Sequence, residues 1–167
     1  MALNAYLKLK GKQMGDIKGS VIQKGREGMI AVHSFHHHIN SPRDPASGQA
    51  TGKRQHGAFT IIKEIDKSTP LLHQAHATNE SFKTWELKCF APKTTGSASG
   101  AGVEVNHFNI VLTDASISSM LSIMENNLVT EDAKLPLMEE VSFVYSKIEW
   151  TWVDGGITAQ DSWEAVS

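Results

Sequence analysis

Apolar residues along this chain recur mainly at every second position, the period of a strand with one buried face. Leu3, Ala5, Leu7 and Leu9 alternate with Asn4, Tyr6 and Lys8, which predicts a half-buried first strand. Met29 to Ile39 reads as a second strand, with Ile30 and Val32 on one face and Phe35 on the other parity. That switch implies a bulge, or a strand packed on both faces. Phe59 to Ile65, Trp85 to Phe90 and Val103 to Thr113 are the next three strands. The last changes parity between Val105 and the Phe108-Ile110-Leu112 set, which again predicts a bulge. Ile117 to Met124 follows. Val141 to Val153 reads as one long strand, with Ile148, Trp150 and Trp152 on one face and Phe143 and Tyr145 on the other. Asp154-Gly155-Gly156 then predicts a tight turn, and the tail 154–167 carries one more apolar anchor, Trp163.

Helical periodicity is clear at one place, Pro70 to Thr78, where Leu71, Leu72 and Ala75 form a narrow apolar stripe. Proline at the first helical position loses an amide that has no intrahelical partner, and its φ is already helical. Thr69 is the expected cap, with Ser68 competing. So short a helix is marginal alone and must dock on the strands. A succession of strands with one helix predicts a mainly β fold, a small β-barrel of two packed antiparallel sheets with one short flanking α-helix. The length of 167 residues fits a single domain over 1–167.

Two connections stand out. Ser41 to Gly57 is long, polar and rich in turn formers. Structureless loops of this length are uncommon and tend to be functional or disordered. Pro92 to Gly102 is rich in small residues and reads as a flexible hairpin loop.

Charge narrows the function classes. A net charge of −2 lacks the basic footprint of a nucleic-acid binder. No apolar run approaches the ~20 residues of a membrane helix. The start of the chain reads as no signal peptide, because Lys8 and Lys10 interrupt any apolar core. Cys89 is the single cysteine, so no intrachain disulfide forms, which fits cytosolic folding.

No catalytic constellation emerges. His36 and His38 share a strand face with Ser34, and His33 and His37 share the other, but neither a cysteine pair nor a carboxylate completes a metal site. The histidines are expected on a polar or subunit-facing surface, and no metal or cofactor is predicted. His73 and His76 lack the glutamate of a zincin motif. Gly48 to Arg54 resembles a phosphate loop only faintly. It has three residues between the glycines and an arginine where the magnesium-binding hydroxyl belongs. Cys89 reads as a small core or semi-core residue. Glu139 and Glu140 point to opposite faces of a strand, cannot flank one bond, and read as a solvated strand start.

The run Ile65-Asp66-Lys67-Ser68-Thr69-Pro70-Leu71-Leu72, preceded by Phe59-Thr60-Ile61-Ile62-Lys63, resembles the central signature of the Hcp (haemolysin-coregulated protein) family of type VI secretion systems. The likeness extends in order through Ala5 to Leu9, Gly28 to Phe35, the long loop 41–57, and Phe143 to Trp152 with Gly155-Gly156. The resemblance implies a structural subunit rather than an enzyme. Six copies form a ring, and rings stack into a hollow tube within a contractile sheath. The tube is assembled in the cytoplasm, fired from a Gram-negative bacterium without a signal peptide, and carries effector proteins in its lumen. Tip and sheath proteins are the other implied partners. Some members carry a toxin domain after the barrel, for which a chain ending soon after Trp163 has no room.

Within that frame, Arg43, Asp44, Lys53 and Arg54 are expected at contacts between stacked rings. Val32, Ser34 and His36 are expected to face the lumen. A specialised carrier ring of the same fold and a small histidine-dependent metalloenzyme are the competing readings. Hexameric mass and metal content separate them.

Overall fold

The computed structural model describes residues 3–93 and 103–163. Its elements are β1 (Asn4–Gly11), β2 (Gly15–Ile17), β3 (Ile30–Val32), β4 (Ser34–His36), β5 (Ile39–Asn40), β6 (Gln55–His56), β7 (Phe59–Glu64), α1 (Thr69–Ala77), β8 (Phe82–Pro92), β9 (Glu104–Thr113), β10 (Ser116–Ile123), β11 (Met138–Val144), β12 (Lys147–Trp152) and β13 (Ile157–Ser162). The larger sheet runs β13-β12-β9-β8-β1-β2, with β3 also on β1. The smaller runs β10-β11-β7-β4, and β5 with β6 makes a separate ribbon. Every pairing is antiparallel.

Three backbone runs cross from one sheet to the other, and these crossings explain two of the parity switches. The expected strand Met29–Ile39 divides at His33. Ile30–Val32 pairs with β1, whereas Ser34–His36 pairs with β7. The expected strand Val141–Val153 divides at Tyr145-Ser146, with β11 in the small sheet and β12 in the large one. Between β9 and β10 the crossing falls at Asp114, whose φ of 51° turns the chain. The third switch is a true bulge. Cys89 faces Phe108 while Phe90 faces Asn106, so His107 is the extra residue. Residues 157–162, expected as tail, add the edge strand β13 against β12. Most of the expected Pro92–Gly102 loop, residues 94–102, lies outside the described residues.

The two sheets meet over a core to which Leu7, Ile30, Leu87 and Ile148 come from the larger sheet, and Phe59, Ile61, Val141 and Phe143 from the smaller. α1 buries Leu72 and Ala75 and lies against β10.

At the junction of β7 and α1 the expected cap is replaced by a buried ionic cluster. Ser68 is the N-cap by position, but no side chain caps the helix. Ser68 Oγ instead donates to Asp66 Oδ1 at 2.5 Å, and Thr69 Oγ1 accepts the Asp66 amide at 3.1 Å. Thr69 Oγ1 also donates to Glu139 Oε1 at 2.7 Å. The cluster centres on Lys63, fully buried, whose ammonium lies 2.5 Å from Glu139 Oε1, 3.0 Å from Asp66 Oδ1 and 2.7 Å from the Glu64 carbonyl. Burial opposes ionisation of Asp66. The hydrogen bonds from Ser68 and Lys63 outweigh it and hold that carboxyl below its ordinary range. Glu139, expected to be solvated, is therefore corrected to a fully buried partner directly opposite Lys63 in the strand register.

Candidate functional site

The long loop 41–57 is a folded hairpin rather than a structureless connection. Its base is the β5–β6 ribbon, pairing Ile39 with His56 and Asn40 with Gln55. A further bridge joins Arg43 to Ala50. Asp44 organises the tip. Its carboxylate accepts the Ser47 hydroxyl at 2.5 Å and the Ser47 amide at 3.0 Å. Those bonds hold its carboxyl below the usual range. Gly48, at φ 70°, closes the turn and donates its amide to the Asp44 carbonyl at 2.8 Å.

The hairpin is clasped to the end of the sheets by residues distant in sequence. Arg54 donates from Nε and Nη2 to the two oxygens of Asp161, at 2.9 and 2.8 Å, a bidentate pair that holds Asp161 below the ordinary carboxylate range. The buried His56 places Nδ1 2.9 Å from the Tyr145 hydroxyl. Its Nε2 lies 3.2 Å from Asp161 Oδ2 but outside hydrogen-bonding geometry. His37 Nε2 reaches the same hydroxyl at 2.6 Å. One hydroxyl donates a single proton, so at least one of the two imidazoles must donate to it. Burial first, and then the charge of Asp161, push the Tyr145 phenol up to about 12. Trp163 packs its ring 5.5 Å from that of His56.

This arrangement makes a pH-sensitive anchor. The His37 pKa is lowered, first by burial and then by His56 and His38. Above about pH 6.5 the ring is neutral in folded and unfolded chains alike and contributes no pH dependence. As pH falls through that value the unfolded chain takes up the proton first, so stability is lost until the folded ring titrates too. The urea midpoint is expected to drop between about pH 7 and pH 5, and to drop less in His37→Phe. An equally steep drop in that variant would refute the role of His37.

Between the hairpin and β13 lies a concavity lined by Arg43, Ala50, Lys53, Arg54, Ser162 and Trp163. It brings together three of the four residues expected at stacking contacts. Asp44 instead serves its own turn, and Arg54 is held by Asp161, which leaves Arg43 and Lys53 as the outward-facing cations. The residues expected to face a lumen do not share one surface. Ser34 and His36 are exposed on β4, but Val32 lies on the other side of the sheet crossing, 5% exposed in the core. Val32 is corrected to a packing residue.

The histidine run is dispersed in the same way. His33 sits 3.1 Å from Glu64, His37 turns to Tyr145, and His38 packs on Gly57, where a Cβ would meet its ring at 2.5 Å. Among the described residues no group of three or more His, Cys, Asp or Glu side chains is placed to hold a metal ion. Sequence reading missed Tyr145 and Asp161 because their partners lie 89 and 107 positions away.

Residues 6–152 match the model of the family described as type VI secretion system effector, Hcp. The chain belongs to the Hcp family. It is 33% identical over 174 residues to the major exported protein of Pseudomonas aeruginosa, covering 99% of this chain and 98% of the relative. Hcp1 of the E. coli EAEC 042 pathovar, solved as a double mutant, superposes with a TM-score of 0.81 at 34% identity, over 97% of this chain and 99% of that one. Secreted protein Hcp3 of P. aeruginosa gives 0.76 at 26% identity, over 98% and 100%. Hcp proteins are structural proteins of type VI secretion, so this chain is not an enzyme. Among the described residues no helix is long and apolar enough to cross a membrane.

Proposed function

We propose that this chain is a tube subunit of a type VI secretion system. Residues 1–167 act as a single Hcp-like domain, six copies close into a ring, and rings stack into a tube that is exported with effector proteins in its lumen. The match to the Hcp family over residues 6–152 carries this reading. The name of the P. aeruginosa relative, major exported protein, supports export after assembly in the cytoplasm. Sheath and tip proteins would be the remaining partners. Two sheet edges support a ring. β13 and β10 end their sheets, and each exposes large apolar side chains, Ile157 and Leu121. Edges of that kind invite pairing with another chain, and closure into a ring covers them. Ser34 and His36 on β4 are the surface offered to cargo, and Arg43, Asp44, Lys53 and Arg54 belong to the stacking loop.

The test is the solution mass of untagged protein by light scattering, with negative-stain images of the peak. A six-fold ring is expected, and a stable monomer would refute the proposal. Deleting residues 43–55 should leave rings and weaken tubes. Tubes that polymerise normally after the deletion would remove the loop from the stacking contact.

A further inference from the structure

The loop 124–137, between β10 and β11, is the counterpart in charge of the hairpin pocket. It carries Glu125, Glu131 and Asp132 against a single lysine, Lys134, whereas the hairpin 41–57 carries Arg43, Lys53 and Arg54 against the single acid Asp44. The acidic loop is ordered. The Leu128 amide donates to Asn126 Oδ1 at 3.0 Å, Val129 donates to the Asn126 carbonyl at 3.0 Å, and Asp132–Lys134 forms a 3-10 turn. This fixed backbone holds Leu128 out in solvent, 90% exposed, with Met124, Leu135 and Leu137 also uncovered nearby in the chain. A stretch of exposed large apolar side chains interspersed with charges is the kind of surface that interaction sites use. The pocket offers complementary chemistry, with Trp163 and Ala50 lining it together with Arg43 and Lys53.

The two features occupy opposite ends of the same pair of strands. β11 begins at Met138, next to the acidic loop, and ends at Val144, next to Tyr145, which anchors the hairpin. β7 runs the other way, so Phe59 pairs with Phe143 at the hairpin end and Glu64 with Met138 at the acidic end. The Ile65 amide donates to the Leu137 carbonyl at 2.9 Å and fixes that second end. Strands of this length separate the two by roughly 20 Å. One copy cannot bring them together, but successive copies can, by a head-to-tail contact that propagates instead of closing on itself.

We infer that the 124–137 loop of one copy docks in the hairpin pocket of a copy in the next ring, Leu128 against Trp163 and the acidic residues against Arg43 and Lys53. The inference rests on the tube reading and gives it a polarity and a socket for the loop. The contact is heterologous, so every ring presents pockets on one face and acidic knobs on the other.

The test uses single cysteines flanking the contact, Thr51→Cys and Asn127→Cys, in a Cys89→Ala background, with Leu128 and the cations left in place. Assembled protein is treated with a short bismaleimide and run on a denaturing gel. Crosslinks requiring both cysteines and forming a ladder beyond six copies are expected. A ladder that stops at six places the contact within a ring and overturns the inference. Tubes without crosslinks overturn it too, while the tube reading stands. Protein that forms neither rings nor tubes overturns the tube reading and the inference with it. A charge swap provides the second measurement. Glu131→Lys with Asp132→Lys should leave rings but reduce pelletable tubes at least several-fold, and adding Arg43→Glu with Lys53→Glu should restore most of the loss. Unchanged tubes in the first variant, or no recovery in the second, would count against the pairing.

Discussion

Replacing Lys63 with methionine is expected to lower the unfolding free energy by about 3–5 kcal/mol. The magnitude follows from what stays behind. Glu139 is fully buried, and its Oε2 has no hydrogen-bond partner among the described residues, so Oε1 alone receives the bonds from Lys63 and Thr69. Without the ammonium, the buried Glu139 and the partly buried Asp66 keep only hydroxyl and amide donors. A buried carboxylate left without its cation costs folding free energy. The double variant Lys63→Met/Glu139→Leu should recover much of the loss, because apolar pairs replace buried ion pairs at little cost and Asp66 keeps its Ser68 bonds. Urea unfolding at fixed protein concentration checks both. A Lys63→Met loss below about 1 kcal/mol would show that the cluster is not a net stabiliser of the junction.

Trp85→Ala should be comparably damaging, at about 3–5 kcal/mol. Trp85 belongs to β8 in the larger sheet but packs edge-on against Phe59 at 5.0 Å and Phe143 at 5.5 Å, both from the smaller sheet. It is therefore the side chain that fills the space between the layers, and truncation leaves a cavity that stiff strands on both sides cannot close. Trp85→Phe should cost much less. It keeps most of the aromatic volume and removes the indole N–H, which is buried without a partner among the described residues. Equal losses in the two variants would argue that the indole N–H has an acceptor and that packing is not the main term.

The period-two pattern made most of the strands legible, and with them the core faces of β1, β7 and β11. The crossings were harder to read. A chain that leaves one sheet for another switches the inward parity just as a bulge does, so Phe35 signalled a discontinuity without its nature, while the change of face between Tyr145 and Ile148 was read as one long strand. His107, a true bulge, gave the same signal. The Lys63–Glu139 pair was within reach of the same argument. Parity with Phe59 and Ile61 points Lys63 inward, and parity with Val141 and Phe143 does so for Glu139, yet polarity alone suggested a solvated strand start. β13 was missed because Ile157 to Ser162 exposes four of its six side chains and has almost no apolar face. The hairpin anchor could not be read locally at all, since Arg54, His56 and Tyr145 are joined only through the folded sheet ends.

The wide sequence separation of the hairpin from its clasp also sets an order of events during synthesis. Arg54 leaves the ribosome 107 residues ahead of Asp161, an interval of roughly 5–20 s at ordinary translation rates. Throughout that interval the cationic hairpin has no carboxylate to grip, no Tyr145 phenol for its histidine, and no indole wall. The pocket is completed only when β13 adds to the sheet edge, so a nascent or truncated chain lacks the surface that the proposed stacking contact uses. On the proposed contact, completion of the fold acts as a licence for assembly, written into the distance between two charged residues.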